Sequence, residues 1–304
     1  NDKCRRHDIH TMDTCHYKLG RSYLSGCQST QLLERTLPGN RNHSTSLSFL
    51  FMETVERIIT RFSRALDSYD LHADAQQQIC RKLTGILSRY TDIHFQRALE
   101  IGCGTGGFTR LLKESCVIDE WYLNDICDGC REKVASLFPG QSPLFIAGNA
   151  EEIDFPGCFD LIASASAFQW MKEPVQFLHK LAGMLSPNGT LLFNSFAPGN
   201  LTEIKQLTGK GLTYPSGELL TEWLEEDFHL IHLREEEIIL TFDTPLDVLR
   251  HLKHTGVTAT GDGTWTRGKQ TDFCRDYQEL FHTNNNQVTL TYRPLYVLAV
   301  KKQA

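Results

Sequence analysis

Between residues 94 and 198, short apolar runs alternate with amphipathic stretches at a regular interval. Phe95 to Ile101, Trp121 to Ile126, Leu144 to Glu151 (polar at its end), Phe159 to Ser164 and Thr190 to Phe196 have the length and flanks of buried strands. Phe108, Leu111 and Leu112, and later a segment from about Val175 to Leu185, repeat at helical spacing between them. Strand alternating with helix in this way predicts a mostly parallel sheet covered by helices on both faces. On the N-terminal side, Val55, Ile58, Ile59, Phe62, Ala65 and Leu66 open a helical pattern that starts at Met52 and breaks near Ser68-Tyr69-Asp70. On the C-terminal side the pattern predicts helices over residues 199–228, with a loop at Gly209-Lys210-Gly211. A sixth strand follows from Ile231 to Phe242, with Glu235-Glu236-Glu237 exposed at its start. Pro245 to His282 reads as helical, interrupted at Thr260-Gly261-Asp262-Gly263. The last strand runs from Gln287 to Val300, and its Pro294 suits an edge or a bulge.

Residues 1–51 lack periodicity and are rich in Ser, Thr, His, Arg and Asn, so they are expected to be a disordered or non-native extension. The expected organisation is that extension, N-terminal helices or a lid over 52–93, and an α/β domain over 94–304. Helical cap insertions are expected at about 199–228 and 244–283.

Composition narrows the classes. A chain of 304 residues with 40% hydrophobic and 22% charged residues is that of a soluble globular protein. No apolar run reaches membrane-spanning length, and no apolar segment follows Arg5 and Arg6 to make a secretory signal, so a cytoplasmic location is expected. A net charge of -6 argues against nucleic acid as a partner. The ten cysteines are expected to be free thiols. Cys127-Asp128-Gly129-Cys130 has no second such pair, and Cys4, His7, His10, Cys15, His16 and Cys27 fit no zinc spacing, so no metal is expected.

The chemistry concentrates at the ends of the predicted strands. The first strand ends on Glu100 and opens into Gly102-Cys103-Gly104-Thr105-Gly106-Gly107. Such a turn lets backbone approach a ligand closely. An acid inside that turn suits a cationic ligand rather than a phosphate. Asp125, with Ile126 beside it, ends the second strand, where a carboxylate can accept both hydroxyls of a ribose. Asn149 and Ala150 end the third. Ligands on parallel sheets sit at these carboxyl ends.

This constellation resembles motif I and the strand ends of class I S-adenosylmethionine methyltransferases. The resemblance implies a Rossmann-like sheet, mostly parallel with an antiparallel last strand, with S-adenosyl-L-methionine as co-substrate. It assigns Glu100, Gly102, Gly104, Gly106, Asp125, Ile126, Asn149 and Ala150 to the cofactor, and Phe168 as a cover for it. Five further blocks are Phe62 to Asp70, Phe168-Gln169-Trp170, Leu249 to Val257, Trp265 to Gly268 and Leu290 to Tyr296. With these, the chain from about Met52 to Lys302 resembles the malonyl-acyl-carrier-protein O-methyltransferases of biotin synthesis. Two positions depart from that family: Ala165 stands where Asn is frequent, and Asn149 where Asp is usual.

The resemblance implies methylation of the free carboxylate of malonyl-acyl carrier protein, an acidic protein partner. A malonyl carboxylate is ionised at pH 7, so it needs placement and not a base. Arg250 and Arg267 are the candidates to orient it, Arg250 being preferred because Val248, Leu249 and Leu252 surround it in the sequence. Tyr69, at the helix break, is a catalytic candidate expected to close over the cofactor, and Tyr292 is a further candidate. Lys205, Lys210, Arg250, Lys253, Arg267 and Lys269 could form a basic dock for the carrier. Two alternatives stay open: a methyltransferase for another small carboxylate or ring, and an inactive methyltransferase fold that serves as a binding module.

Overall fold

The computed structural model describes residues 56, 59–91, 93–256 and 266–303. The extension expected over 1–51, the glycine-rich loop at 260–263 and Trp265 lie outside these residues. The described chain builds a seven-stranded sheet in the order β3-β2-β1-β4-β5-β9-β6. Its strands are β1 (His94–Ile101), β2 (Val117–Asp125), β3 (Leu144–Ala147), β4 (Phe159–Ser164), β5 (Leu185–Phe196), β6 (Phe228–Glu235) and β9 (Pro294–Lys301). β1 to β5 pair in parallel, and β9 runs antiparallel to both β5 and β6. The mostly parallel sheet with an antiparallel last strand is therefore as expected.

Two details differ from expectation. The run from Ile231 to Phe242 is not one strand. It divides into β6 and β7 (Ile238–Phe242), and β7 pairs with β8 (Val288–Tyr292) in a separate two-stranded sheet. The acidic triplet sits at the break, where Glu236 pairs with Lys82 at 2.6 Å and Glu235 with Arg293. The run from Gln287 likewise switches sheets at Arg293, so Pro294 opens β9 and pairs with Phe196 inside the sheet. A strand's first residue tolerates proline where an interior position would not.

Alternation along the strands feeds two cores. Ala98, Leu123, Leu161 and Leu192 face helices α3 (Asp74–Tyr90), α4 (Gly107–Ser115) and α5 (Cys130–Ala135). Leu99, Ile101, Ile162 and Leu191 face the other side, under α6 (Pro174–Met184) and α8 (Gly217–Leu224). α3 carries Ala75, Ile79, Leu83 and Leu87, all fully buried at helical spacing, each large side chain contributing about 1.5–3 kcal/mol. Over the carboxyl ends of the strands lie three groups of helices. Helix α1 (59–65) and the single turn α2 (Tyr69–His72) come first, then α7 (Thr202–Thr208), and last α9 (Pro245–His254) and α10 (Arg267–Phe281). Among the described residues, no helix is long and apolar enough to cross a membrane.

Candidate active site

The turn after β1 is shaped by backbone that only glycine adopts without strain. Gly102 and Gly104 have φ of +70° and +53°, and a Cβ on Gly102 would meet Ala167 Cβ at 2.4 Å. The turn is tied to the end of β2. Gly104 N–H donates to Asp125 Oδ2 at 2.9 Å, and Cys127 N–H donates to Asp125 Oδ1 at 2.8 Å. Burial raises the Asp125 carboxyl while these two donors oppose the shift. The result is a cavity of about 300 Å3 lined by Gly102, Gly104, Asp125, Ile126, Asn149 and Ala150, which thus come together as the sequence implied. Asn149 closes its own turn: its Oδ1 accepts from Glu151 N–H at 3.1 Å and its amide nitrogen donates to Glu152 at 3.0 Å. Lys180 of α6 steadies the same loop through the carbonyls of Ala150, Glu151 and Ile153.

Four expected residues are placed elsewhere. Glu100 is 2% exposed and does not line the cavity. Strand alternation turns its side chain toward α3 and α4, opposite to Leu99 and Ile101. Burial pushes its carboxyl up to about 8, opposed by Thr109 of α4. Gly106 precedes α4 with φ +87°, and a Cβ there would meet Leu137 Cδ1 at 2.6 Å, so its role is packing against the chain after α5. Phe168 is buried beneath the cavity between Phe177 and Phe193, whereas Trp170, two residues on, lines the cavity. Arg250 lies on the outer face of α9, its side chain 66% exposed and paired with Asp247 at 2.5 Å. Neither Arg250 nor Arg267 lines either of the two large cavities.

The second cavity, about 520 Å3, lies under the cap. It shares Phe62, Tyr69, Gln76, Ser166 and Trp170 with the first, so the two meet at these side chains. Ser166 holds φ +55°, rare for a residue with a side chain, and its N–H donates to Asn194 Oδ1 at 2.8 Å. Its buried hydroxyl has no partner. The Tyr69 ring packs edge-on to Phe62 at 5.3 Å, and burial raises its hydroxyl, which stays protonated and able to donate. Tyr292 lines the second cavity and is bound to His251 Nε2 at 2.8 Å. Trp170 belongs to the Phe168-Gln169-Trp170 block, whereas Gln76 and Ser166 belong to no short motif; the unusual backbone at Ser166 and the unpartnered buried oxygens of both residues expose them. The N-terminal helices close over the first cavity through Thr105 Oγ1 to Asp70 Oδ1 at 2.6 Å and Lys133 to Asp67 at 2.8 Å. No cluster among the described residues could hold a metal ion, and Cys127 and Cys130 are free and buried.

Residues 99–193 match the methyltransferase domain family. Over 247 residues the chain is 47% identical to the malonyl-acyl-carrier-protein O-methyltransferase of Porphyromonas gingivalis, covering 80% of this chain and 95% of that protein. It is 46% identical over 249 residues to the same-named protein of Haemophilus ducreyi, covering 81% of this chain and 96% of the relative. Among solved structures, the YcgJ protein of Bacillus subtilis superposes with a TM-score of 0.54 at 14% identity, over 74% of this chain and all of that one. The N-methyltransferase NodS of Bradyrhizobium japonicum, in complex with S-adenosyl-L-homocysteine, does so with a TM-score of 0.50 at 13% identity, over 81% of this chain and all of that one. The structural likenesses show the fold; the identities to the two named relatives show that this chain belongs to the malonyl-acyl-carrier-protein O-methyltransferase family.

Proposed function

We propose that this protein uses S-adenosylmethionine to methylate the free carboxylate of a malonyl thioester borne on acyl carrier protein. The observation that carries the reading is the meeting of the two cavities at Phe62, Tyr69, Gln76, Ser166 and Trp170. The first cavity fits the cofactor: a glycine cradle that a Cβ would fill, and an acid pinned at the strand tip with its carboxylate toward the cavity. When bound, S-adenosylmethionine supplies a sulfonium methyl, which a carboxylate oxygen takes as the S–C electron pair returns to sulfur. No proton moves.

The chain's own work is therefore positioning and exclusion of water. Asp125 would accept the ribose hydroxyls, and the Asn149–Ala150 turn would border the adenine. At the junction the polar groups are neutral: the Tyr69 hydroxyl, the Gln76 amide and the Ser166 hydroxyl. Neutral donors orient a carboxylate while binding its charge less tightly than a guanidinium would. That matters because the charge disappears in the ester, and ground-state stabilisation adds to the barrier. The oriented carboxylate in this reading belongs to Tyr69 and Ser166, and Arg250 has no part in it.

Intact-mass measurement of malonyl-acyl carrier protein after incubation with S-adenosylmethionine tests the reading, with a methyl gain expected on the carrier. Malonyl-coenzyme A, free malonate and phenolic acids serve as comparison substrates. Preference for one of these over the carrier would favour a different small-molecule methyltransferase, and cofactor binding without any turnover would favour a binding module. Tyr69→Phe should lower kcat about fivefold to tenfold with unchanged cofactor affinity, the loss of one hydrogen bond worth about 1–1.4 kcal/mol.

A further inference from the structure

The second cavity is larger than its proposed acyl group requires. Its volume of about 520 Å3 corresponds to roughly seventeen waters at ~30 Å3 each, and a malonyl group occupies a small part of that. Its middle is apolar, walled by Leu201, Ile204, Leu207, Leu212, Leu249 and Phe273. Four charged side chains line it: Lys210, Lys269, Asp272 and Asp276. Both acids are engaged by Arg275, at 3.1 and 2.9 Å. Neither lysine ammonium has an ion-pair or hydrogen-bond partner among the described residues, so these two are the unpaired charges of the lining, whereas the two acids share one guanidinium.

The lysines come from different elements. Lys210 follows α7 beyond Gly209, and Lys269 stands in the first turn of α10, where its N–H is held by the Thr266 cap. Both residues are exposed, so they stand at the mouth, away from the neutral donors at the inner end. From inside out the cavity offers neutral hydroxyls, an apolar wall and two free cations. A carrier-borne thioester presents groups in the same order: a carboxylate, a pantetheine arm with a branched apolar segment, and a phosphodiester.

Resting on the function proposed above, we infer that Lys210 and Lys269 form a phosphate clasp at the cavity mouth, receiving the phosphate of the pantetheine arm while the arm lies along the apolar wall. Lysine suits this task because it binds phosphate as a point charge and needs no fixed fork geometry. The clasp adds binding energy at the outer end of the arm, remote from the reacting carboxylate, so it acts on KM and not on kcat.

The test compares three malonyl thioesters: on carrier protein, on phosphopantetheine and on pantetheine lacking phosphate. In Lys210→Met/Lys269→Met, KM for malonyl-phosphopantetheine should rise roughly tenfold to a hundredfold at low salt, with kcat and cofactor affinity unchanged. KM for malonyl-pantetheine should equal that of the wild type, and Lys210→Arg/Lys269→Arg should restore most of the loss. An equal rise with malonyl-pantetheine would overturn the clasp. So would a rise confined to the carrier-borne substrate, which would put the lysines on the carrier's surface instead. Calorimetry with phosphopantetheine alone scores the clasp without turnover: at least tenfold weaker binding by the Met variant supports it, and equal binding refutes it. Failure of the wild type to methylate any malonyl thioester would refute the proposed function, and the calorimetric result would still decide the clasp.

Discussion

The cofactor cavity and the cap cavity share five side chains, yet they are built in opposite ways. The first has its floor in short runs of residues at strand ends, 102–105, Asp125-Ile126 and 148–151, with side chains of α1, α2 and α3 closing over it. The shape of that floor is fixed by glycine conformations and by two N–H groups on Asp125. The second gathers side chains from α1, α2, α7, α9, α10 and β8, which are far apart in the chain. A cavity built of backbone demands particular residues at fixed spacing. A cavity built of distant side chains demands only that each helix present a suitable face. The first should therefore fail sharply under single substitutions, and the second gradually.

The sharpest break is expected at Gly102→Ala. The added Cβ meets Ala167 at 2.4 Å with φ at +70°, so overpacking and backbone strain act together. The sum is roughly 2–6 kcal/mol. A melting point lowered by many degrees, with cofactor binding lost in calorimetry, is the outcome expected. Near-wild-type binding would show that this turn gives way as easily as the cap.

Next is Glu100, whose carboxyl is raised to about 8 by burial. Unfolded glutamate titrates near 4.3, so between about pH 4.3 and 8 the folded protein keeps a proton that the unfolded chain has released. Stability conferred by the protonated carboxyl is full below that window and falls as pH rises through it. The loss is on the order of a few kcal/mol at about 1.4 kcal/mol per unit. Glu100→Gln, which removes the titration, should flatten the melting-point profile between pH 5 and 8 and gain most on the wild type near pH 8.5. A slope identical to the wild type would place the carboxylate in contact with water or a cation.

Asp125→Ala should weaken S-adenosylmethionine by about 1–3 kcal/mol, through loss of a buried charged acceptor. Because Asp125 also receives Gly104 and Cys127 N–H groups, the melting point should fall as well. An unchanged dissociation constant would remove it from the ribose.

What was legible follows the same division. Gly102, Gly104 and Asp125 could be read from the strand ends and the glycine turn, which leave a linear signature, and the family resemblance added Ile126, Asn149 and Ala150. Glu100 belongs to the same motif, but strand parity sets its side chain on the face opposite Leu99 and Ile101, and it is absent from the lining of the first cavity. The split of β6 from β7 was hidden by a continuous apolar run whose sole marker was the acidic triplet. Ser166 and Gln76 have no linear signature, because the groups they meet arrive from elsewhere in the chain; Lys210 and Lys269 were legible only as two of six basic candidates, with nothing in the sequence to bring those two to one cavity.

The smallest effect is expected at Arg250, and it tests the cap side of the comparison. Apolar neighbours in sequence suggested that Arg250 points inward, but helical geometry spreads adjacent residues by about 100°, so Leu249 and Leu252 can line the cavity while Arg250 faces out. That is its position: it is exposed, and its one ion pair is with Asp247, three residues earlier on the same helix. Exposed pairs of this kind contribute about 0–1 kcal/mol, and alanine's higher helix propensity offsets part of the loss. Arg250→Ala should therefore change stability by no more than about 0.5 kcal/mol. Its kcat, cofactor affinity and KM for malonyl-phosphopantetheine should match the wild type. A rise of KM with carrier protein alone, erased by salt, would add Arg250 to a surface that meets the acidic carrier. A large fall in kcat would mean that α9 turns its outer face inward during turnover. The cap would then be a moving part, with as strict a demand on single residues as the glycine turn.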